Sequence, residues 1–164
     1  MIFVTVGTHE QPFDRLIGYM DKWAAEHDEE VVMQRGYASF VPEHCESKPL
    51  FSYEEMQELT DRARIVITHG GPSTIMMVLC RGKVPVVVPR RHDLGEHVND
   101  HQVVFCDEYK ELEDRFILIG DIDTLGSVID NYDEQVKEIT AGKVVSHTKD
   151  FCDGLSKIVD QIFE

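Results

Sequence analysis

The chain is poor in positive charge: Lys and Arg total 16 against 31 Asp and Glu, a formal net charge of −15 over 164 residues. A surface of that sign repels a phosphate backbone, which argues against broad nucleic-acid binding. A small anionic ligand stays open, because a helix N-terminus and a few local arginines can make a positive pocket. No window approaches the ~20 consecutive apolar residues of a membrane span. The opening MIFVTVG lacks the basic segment, long apolar stretch and small-residue cleavage site of a secretory signal. The four cysteines, Cys45, Cys80, Cys106 and Cys152, include no C-x-x-C pair. Reduced thiols in a cytoplasmic setting are expected over a disulfide framework or a zinc site. No P-loop, G-x-S-x-G or H-E-x-x-H occurs, which removes the signals for NTPase, serine-hydrolase and zinc-protease chemistry. A dinucleotide fold wants G-x-G-x-x-G after its first strand and an acid about 20 residues on; here stand G-T-H-E-Q-P and Gln34-Arg35.

What is present is an ordinary globular composition, 42% apolar and 9% aromatic, in a length suited to one domain with a full core, 1–164. Apolar strands alternate with helical periodicity. IFVTV (2–6), EVVMQR (30–35), RIVIT (64–68), VPVVV (84–88) and FILIG (116–120) read as strands, and a short strand with loops is expected in ASFVPEHCESKPLF. Helices are expected over 13–26, from the Ser52/Glu55 capping box to about Arg62, from Pro72 to about Arg81, near 97–112 and from about 122. A further helix over about 150–163 presents Phe151, Leu155, Ile158, Val159, Ile162 and Phe163 on one stripe, which fits packing on its own sheet or on a partner. Strands apolar throughout, each followed by a helix, indicate an α/β fold: a Rossmann-like parallel sheet with helices on both faces.

Such sheets bind ligands beyond the carboxyl ends of their strands. Two strand ends carry glycine at once: V-G-T-H-E-Q from 6 and H-G-G-P-S-T from 69. If the first and fourth strands are neighbours, both loops border one crevice. Gly70 and Gly71 permit close backbone approach, the helix starting at Pro72 offers its N-terminus, and Ser73 and Thr74 add hydroxyls, a set suited to a diphosphate. A tight turn needing positive φ at Gly70 or Gly71 would explain the glycines equally well. A second cluster, R-R-H-D-L-G-E-H-V-N-D-H-Q over 90–102, follows another strand end. Its Glu96, His97, Asn99 and Gln102 are groups that hydrogen-bond sugar hydroxyls, though a solvated loop would look similar. His97 and His101 lie four apart, but no metal-binding pattern surrounds them.

Taken in order, V-T-V-G-T, V-I-T-H-G-G-P-S-T, G-K-V-P-V-V-V-P-R and E-H-V-N-D-H-Q resemble the C-terminal domain of glycosyltransferase family 28 over about residues 1–105. The likeness is nearest to small bacterial exopolysaccharide and capsule transferase subunits. These are similar to the cytosolic subunit of the split dolichol-linked N-acetylglucosamine transferase. The resemblance implies the nucleotide-sugar-binding half of a GT-B enzyme that uses a UDP-sugar and needs no cofactor or metal. Its acceptor would be a polyprenyl-diphosphate-linked saccharide. A membrane-anchored acceptor-binding subunit would draw the chain to the inner face of the cytoplasmic membrane. It also implies site roles: Gly7, Thr8 and the run His69, Gly70, Gly71, Pro72, Ser73 and Thr74 on the donor diphosphate, and Phe51, Ser52 and Tyr53 near the uracil. Glu96 and His97 would contact the donor sugar, with Asn99 and Gln102 supporting that loop, and Arg90 would be a further substrate-binding residue. Relatives place a ribose-binding Glu on the helix after the glycines, where this chain has Met76 and Met77. No catalytic base transfers by resemblance, so His9 and Glu10, on the loop after the first strand, are the local candidates. A non-catalytic nucleotide-sugar-binding or scaffold subunit of a membrane complex is the alternative to an enzyme.

Overall fold

The structure, a computed structural model, describes residues 1–141. The helix expected over 150–163 lies outside the described residues. Six strands, β1 (Ile2–Thr5), β2 (Val31–Gln34), β3 (Glu46–Lys48), β4 (Ile65–His69), β5 (Val86–Val88) and β6 (Ile117–Leu118), form one sheet in the order β3-β2-β1-β4-β5-β6. Every pairing is parallel, and β1 lies between β2 and β4 with Thr5 opposite both Gln34 and Thr68. The chain lays down β1 to β3 outward in one direction and then returns to place β4 on the other side of β1. The strand order therefore reverses between β1 and β4, the position where such sheets open a crevice.

The helices are α1 (Asp14–Glu26), α2 (Tyr53–Arg62), α3 (Pro72–Leu79), α4 (His101–Leu112), α5 (Leu125–Asp130) and α6 (Tyr132–Ala141). Alternate residues of each strand serve opposite faces. Ile2, Val4, Val6, Ile65, Ile67, Val86 and Val88 pack with Leu16, Ile17 and Met20 of α1 and with Leu125 and Ile129 of α5. Phe3, Val32 and Val66 turn the other way, toward Leu59 of α2 and Val78 of α3. Val87 meets Ile75 of α3 and Cys106 of α4. Each such side chain, taken fully out of water, contributes about 1.5–3 kcal/mol. The expected sheet covered on both faces is what forms.

Several local rules hold as expected. Ser52 and Glu55 make a complete capping box: Glu55 N donates to Ser52 Oγ at 3.2 Å and Ser52 N to the Glu55 carboxylate at 2.7 Å. Pro72 opens α3, and Gly82 takes a left-handed φ of 70° just after it. Helix α4, expected from near 97, instead begins at His101. The residues before it form a loop held by its own side chains: Asp100 accepts from His92 N at 2.8 Å and Glu96 from Arg91 N at 3.0 Å, with Gly95 at φ 70° between. The helix expected from about 122 starts as a 3-10 turn (Ile122–Thr124) and divides at Asn131 into α5 and α6.

Candidate functional site

The loops after β1 and β4 converge at the switch point on a cleft of about 320 Å³, within the size range of small-ligand sites. It brings together Gly7, Thr8, Phe51, His69, Gly71, Pro72, Ser73 and Thr74, all nominated from the sequence, and adds Thr5, Gln34 and Met56, which were not. Thr5 and Gln34 carried a readable signal: each is the polar last residue of an otherwise apolar buried strand. Met56 carried none. On one wall Gly71 is the N-cap of α3 with extended φ −81°, and no side chain caps that helix, so its dipole end faces the cleft without an internal counter-charge. Ser52 is engaged in its cap, and Tyr53 stands 68% exposed at the start of α2. On α3, Met76 is exposed and Met77 half-buried; neither lines the cleft.

The glycines have a reason that the sequence did not disclose. Neither Gly70 nor Gly71 has positive φ; Gly7 does, at 71°. The His69 imidazole stands between the two loops: a Cβ on Gly7 would come within 2.6 Å of its Nε2, and one on Gly71 would come closer still. Gly70 instead lies against α4, where a Cβ would meet Cys106 Sγ and Gln102 Cβ, each at 3.0 Å. Side chains of the chain itself therefore account for the small residues, and the cleft opens beside His69. Burial holds the His69 ring down to about 4, and the nearby Arg90 guanidinium acts in the same direction. The ring is neutral at pH 7.

A second group joins the β1–α1 loop to the segment after β5. Arg90 is wholly buried and donates from Nη1 to the carbonyls of Gln11 (2.8 Å) and Glu96 (2.9 Å), and from Nη2 to that of Val6 (2.9 Å). Its guanidinium also lies 4.7 Å from the centre of the Phe13 ring, and burial pulls it down to about 10. The Arg90 amide donates to Gln102 Oε1 at 3.2 Å. Glu96, also buried, receives Arg15 on both oxygens, from Nε at 2.8 Å and Nη2 at 2.9 Å. Arg90, Glu96 and Gln102 are thus engaged with protein groups and hold the loop's shape. Arg15 was not anticipated, because it lies 81 residues from its partner.

On that frame the rings of His9 and His97 stack at 4.2 Å, and His101 meets His97 edge-on at 4.5 Å. Burial, followed by the neighbouring His9 and His101, keeps His97 below the usual histidine value. His9 Nε2 is 2.8 Å from Gln11 Oε1, which fixes its ring plane. Asn99 is exposed, its side-chain oxygen turned to the His101 backbone and ring, and Glu10 is exposed on the β1–α1 loop. Among the described residues, no three His, Cys, Asp or Glu side chains are placed to share a metal ion.

Comparison with known proteins agrees with this fold. The chain is similar in fold to the crystal structure of the glycotransferase of kitacinnamycin, with a TM-score of 0.56, 22% identity and a match over 86% of this chain. The match spans 37% of that protein's length. A looser likeness, with a TM-score of 0.38 and 23% identity, is found to the glycosyltransferase SnogD from Streptomyces nogalater, over 65% of this chain and 29% of that one. No curated protein sequence matches. Residues 1–141 match the model of the glycosyltransferase family 28 C-terminal domain, and the chain belongs to that family.

Proposed function

We propose that the chain, as one domain over 1–164, is the donor-binding subunit of a two-component glycosyltransferase. It would move a sugar from a UDP-sugar to a polyprenyl-diphosphate-linked saccharide in surface or exopolysaccharide synthesis. A membrane-anchored subunit would supply the acceptor side and hold the chain at the inner face of the cytoplasmic membrane. The observation that carries this reading is the cleft between two glycine-bordered strand ends at the switch point. One wall carries Gly71 to Thr74 at an uncapped helix start, and Phe51 stands on the other. Family membership supports the reaction class, and the resemblance to split transferases supports the two-component arrangement. Among the described residues no helix is long and apolar enough to cross a membrane, which is compatible with recruitment by a partner.

In this reading the α3 N-terminus and the hydroxyls of Thr8, Ser73 and Thr74 stabilise the departing UDP diphosphate as its charge develops. Phe51 offers an apolar face to the base. The His9 imidazole, braced by Gln11 and stacked on His97, is the general base for the acceptor hydroxyl. The test is calorimetric titration with UDP. Thr74→Val keeps the side-chain shape and removes the hydroxyl, so affinity should fall about tenfold, the loss of one hydrogen bond to a charged group. Unchanged affinity in the folded variant would sink the assignment. Gly71→Val is a poorer probe, since any Cβ there collides with His69.

A further inference from the structure

Two of the segments that line the cleft, the Gly7 turn after β1 and the Phe51 segment before α2, come from different parts of the chain, and one side chain joins them. Gln34, 3% exposed at the end of β2, donates from Nε2 to the Gly7 carbonyl at 3.1 Å and to Thr5 Oγ1 at 3.3 Å. Its Oε1 accepts from the Phe51 amide at 3.2 Å. The orientation of the carboxamide is forced: reversed, it would set oxygen against the Gly7 carbonyl and nitrogen against the Phe51 N–H. The sheet does not need this group. The β1–β2 pairing at Thr5 and Gln34 runs through backbone, and the preceding Val31, Val32 and Met33 fill their places with apolar volume. A buried polar side chain is unfavourable unless fully bonded, and every bond made here by this one runs to a strand end or a loop that lines the cleft.

We propose that Gln34 is a positioning residue for the nucleotide. Its carboxamide fixes the separation of the Gly7 turn from the Phe51 segment, so that one nucleoside diphosphate touches both. The inference rests on the cleft being the nucleotide site. A ligand gripped at two ends gains over its fragments only when both grips are in register. Loss of the bridge should therefore weaken the whole nucleotide far more than a fragment that uses one wall.

The experiment titrates the wild-type protein, Gln34→Met and Gln34→Glu with UDP and with inorganic pyrophosphate, at about pH 7.5 and about pH 5.5. Gln34→Met fills the volume without bridging. It should bind UDP about tenfold more weakly than wild type while pyrophosphate stays within about twofold. In Gln34→Glu the ionised carboxylate has no proton for the Gly7 carbonyl; burial favours the neutral acid, which does. Its UDP deficit relative to wild type should shrink on going to the lower pH, and that of Gln34→Met should not. Wild-type UDP affinity in folded Gln34→Met, equal losses for UDP and pyrophosphate, or a Gln34→Glu deficit indifferent to pH would each overturn the proposal. A wild-type protein that binds no UDP overturns the reading of the cleft and this inference together, and the wild-type titration alone reveals it.

Discussion

Lowering the pH from 7 to 5 should destabilise this protein partly through one residue, His69. In the unfolded chain its imidazole titrates near 6.5, and in the folded chain burial brings that down to about 4. Between those values the unfolded state binds a proton that the folded state refuses, so stability falls as the pH falls from 6.5 toward 4 and is unaffected above that window. At pH 5 the unfolded histidine is almost fully protonated and the folded one about a tenth. The integrated difference from pH 7 is about 2 kcal/mol, rising to about 3 kcal/mol below pH 4. Urea denaturation at both pH values, on wild type and on His69→Gln, isolates the effect, since the variant removes this imidazole alone. Wild type should lose about 2 kcal/mol more than the variant between pH 7 and pH 5. Losses equal to within about 0.5 kcal/mol would show that the ring is not held neutral by burial between the glycine loops.

Three further outcomes test the surroundings. Arg15→Met leaves the buried Glu96 carboxylate with the Arg91 amide as its hydrogen-bond donor and should cost about 3 kcal/mol; Arg15→Met with Glu96→Gln should cost less than the sum of the singles, read from urea midpoints in a double-mutant cycle. Gly70→Ala drives a methyl against Gln102 and Cys106 of α4 and should destabilise by about 1–3 kcal/mol, whereas Gly82→Ala meets no neighbouring atom and should show only the smaller strain of its positive φ. His9→Ala, assayed for sugar transfer with the acceptor-side partner, should lower turnover by about 100-fold or more; normal turnover in both His9→Ala and Glu96→Ala would leave the chain a scaffold instead of a catalyst.

The sequence made legible what depends on neighbours a few residues away. Apolar strands followed by periodic helices predicted the parallel sheet, and Ser52, Pro72 and Gly82 marked helix ends that the structure bears out. The cleft followed from two such local signals once β1 and β4 proved adjacent. What stayed hidden is long-range. Nothing near Gly7 or Gly71 announces that the His69 ring fills the space between them. The polar run after β5 offered Arg90, Glu96 and Gln102 as ligand groups; their partners, Val6, Gln11 and Arg15 among them, are set by the fold and not by spacing. Gln34 was read only as the absence of an acid, and its role depends on Gly7 and Phe51 arriving at opposite ends of one carboxamide.

The ties from Arg90 to Val6 and from Arg15 to Glu96 close over 84 and 81 residues, whereas Gln34 reaches Gly7 over 27. Loop closure must precede such contacts, so the order of assembly has a direction: the β1–β2 side of the cleft can form early, and the segment after β5 docks onto it late. Substitutions at Arg90 or Arg15 should accordingly speed unfolding while leaving the folding rate nearly unchanged. The segment after β5 is then also where the native protein opens first, and its amides should exchange before those at the sheet's centre.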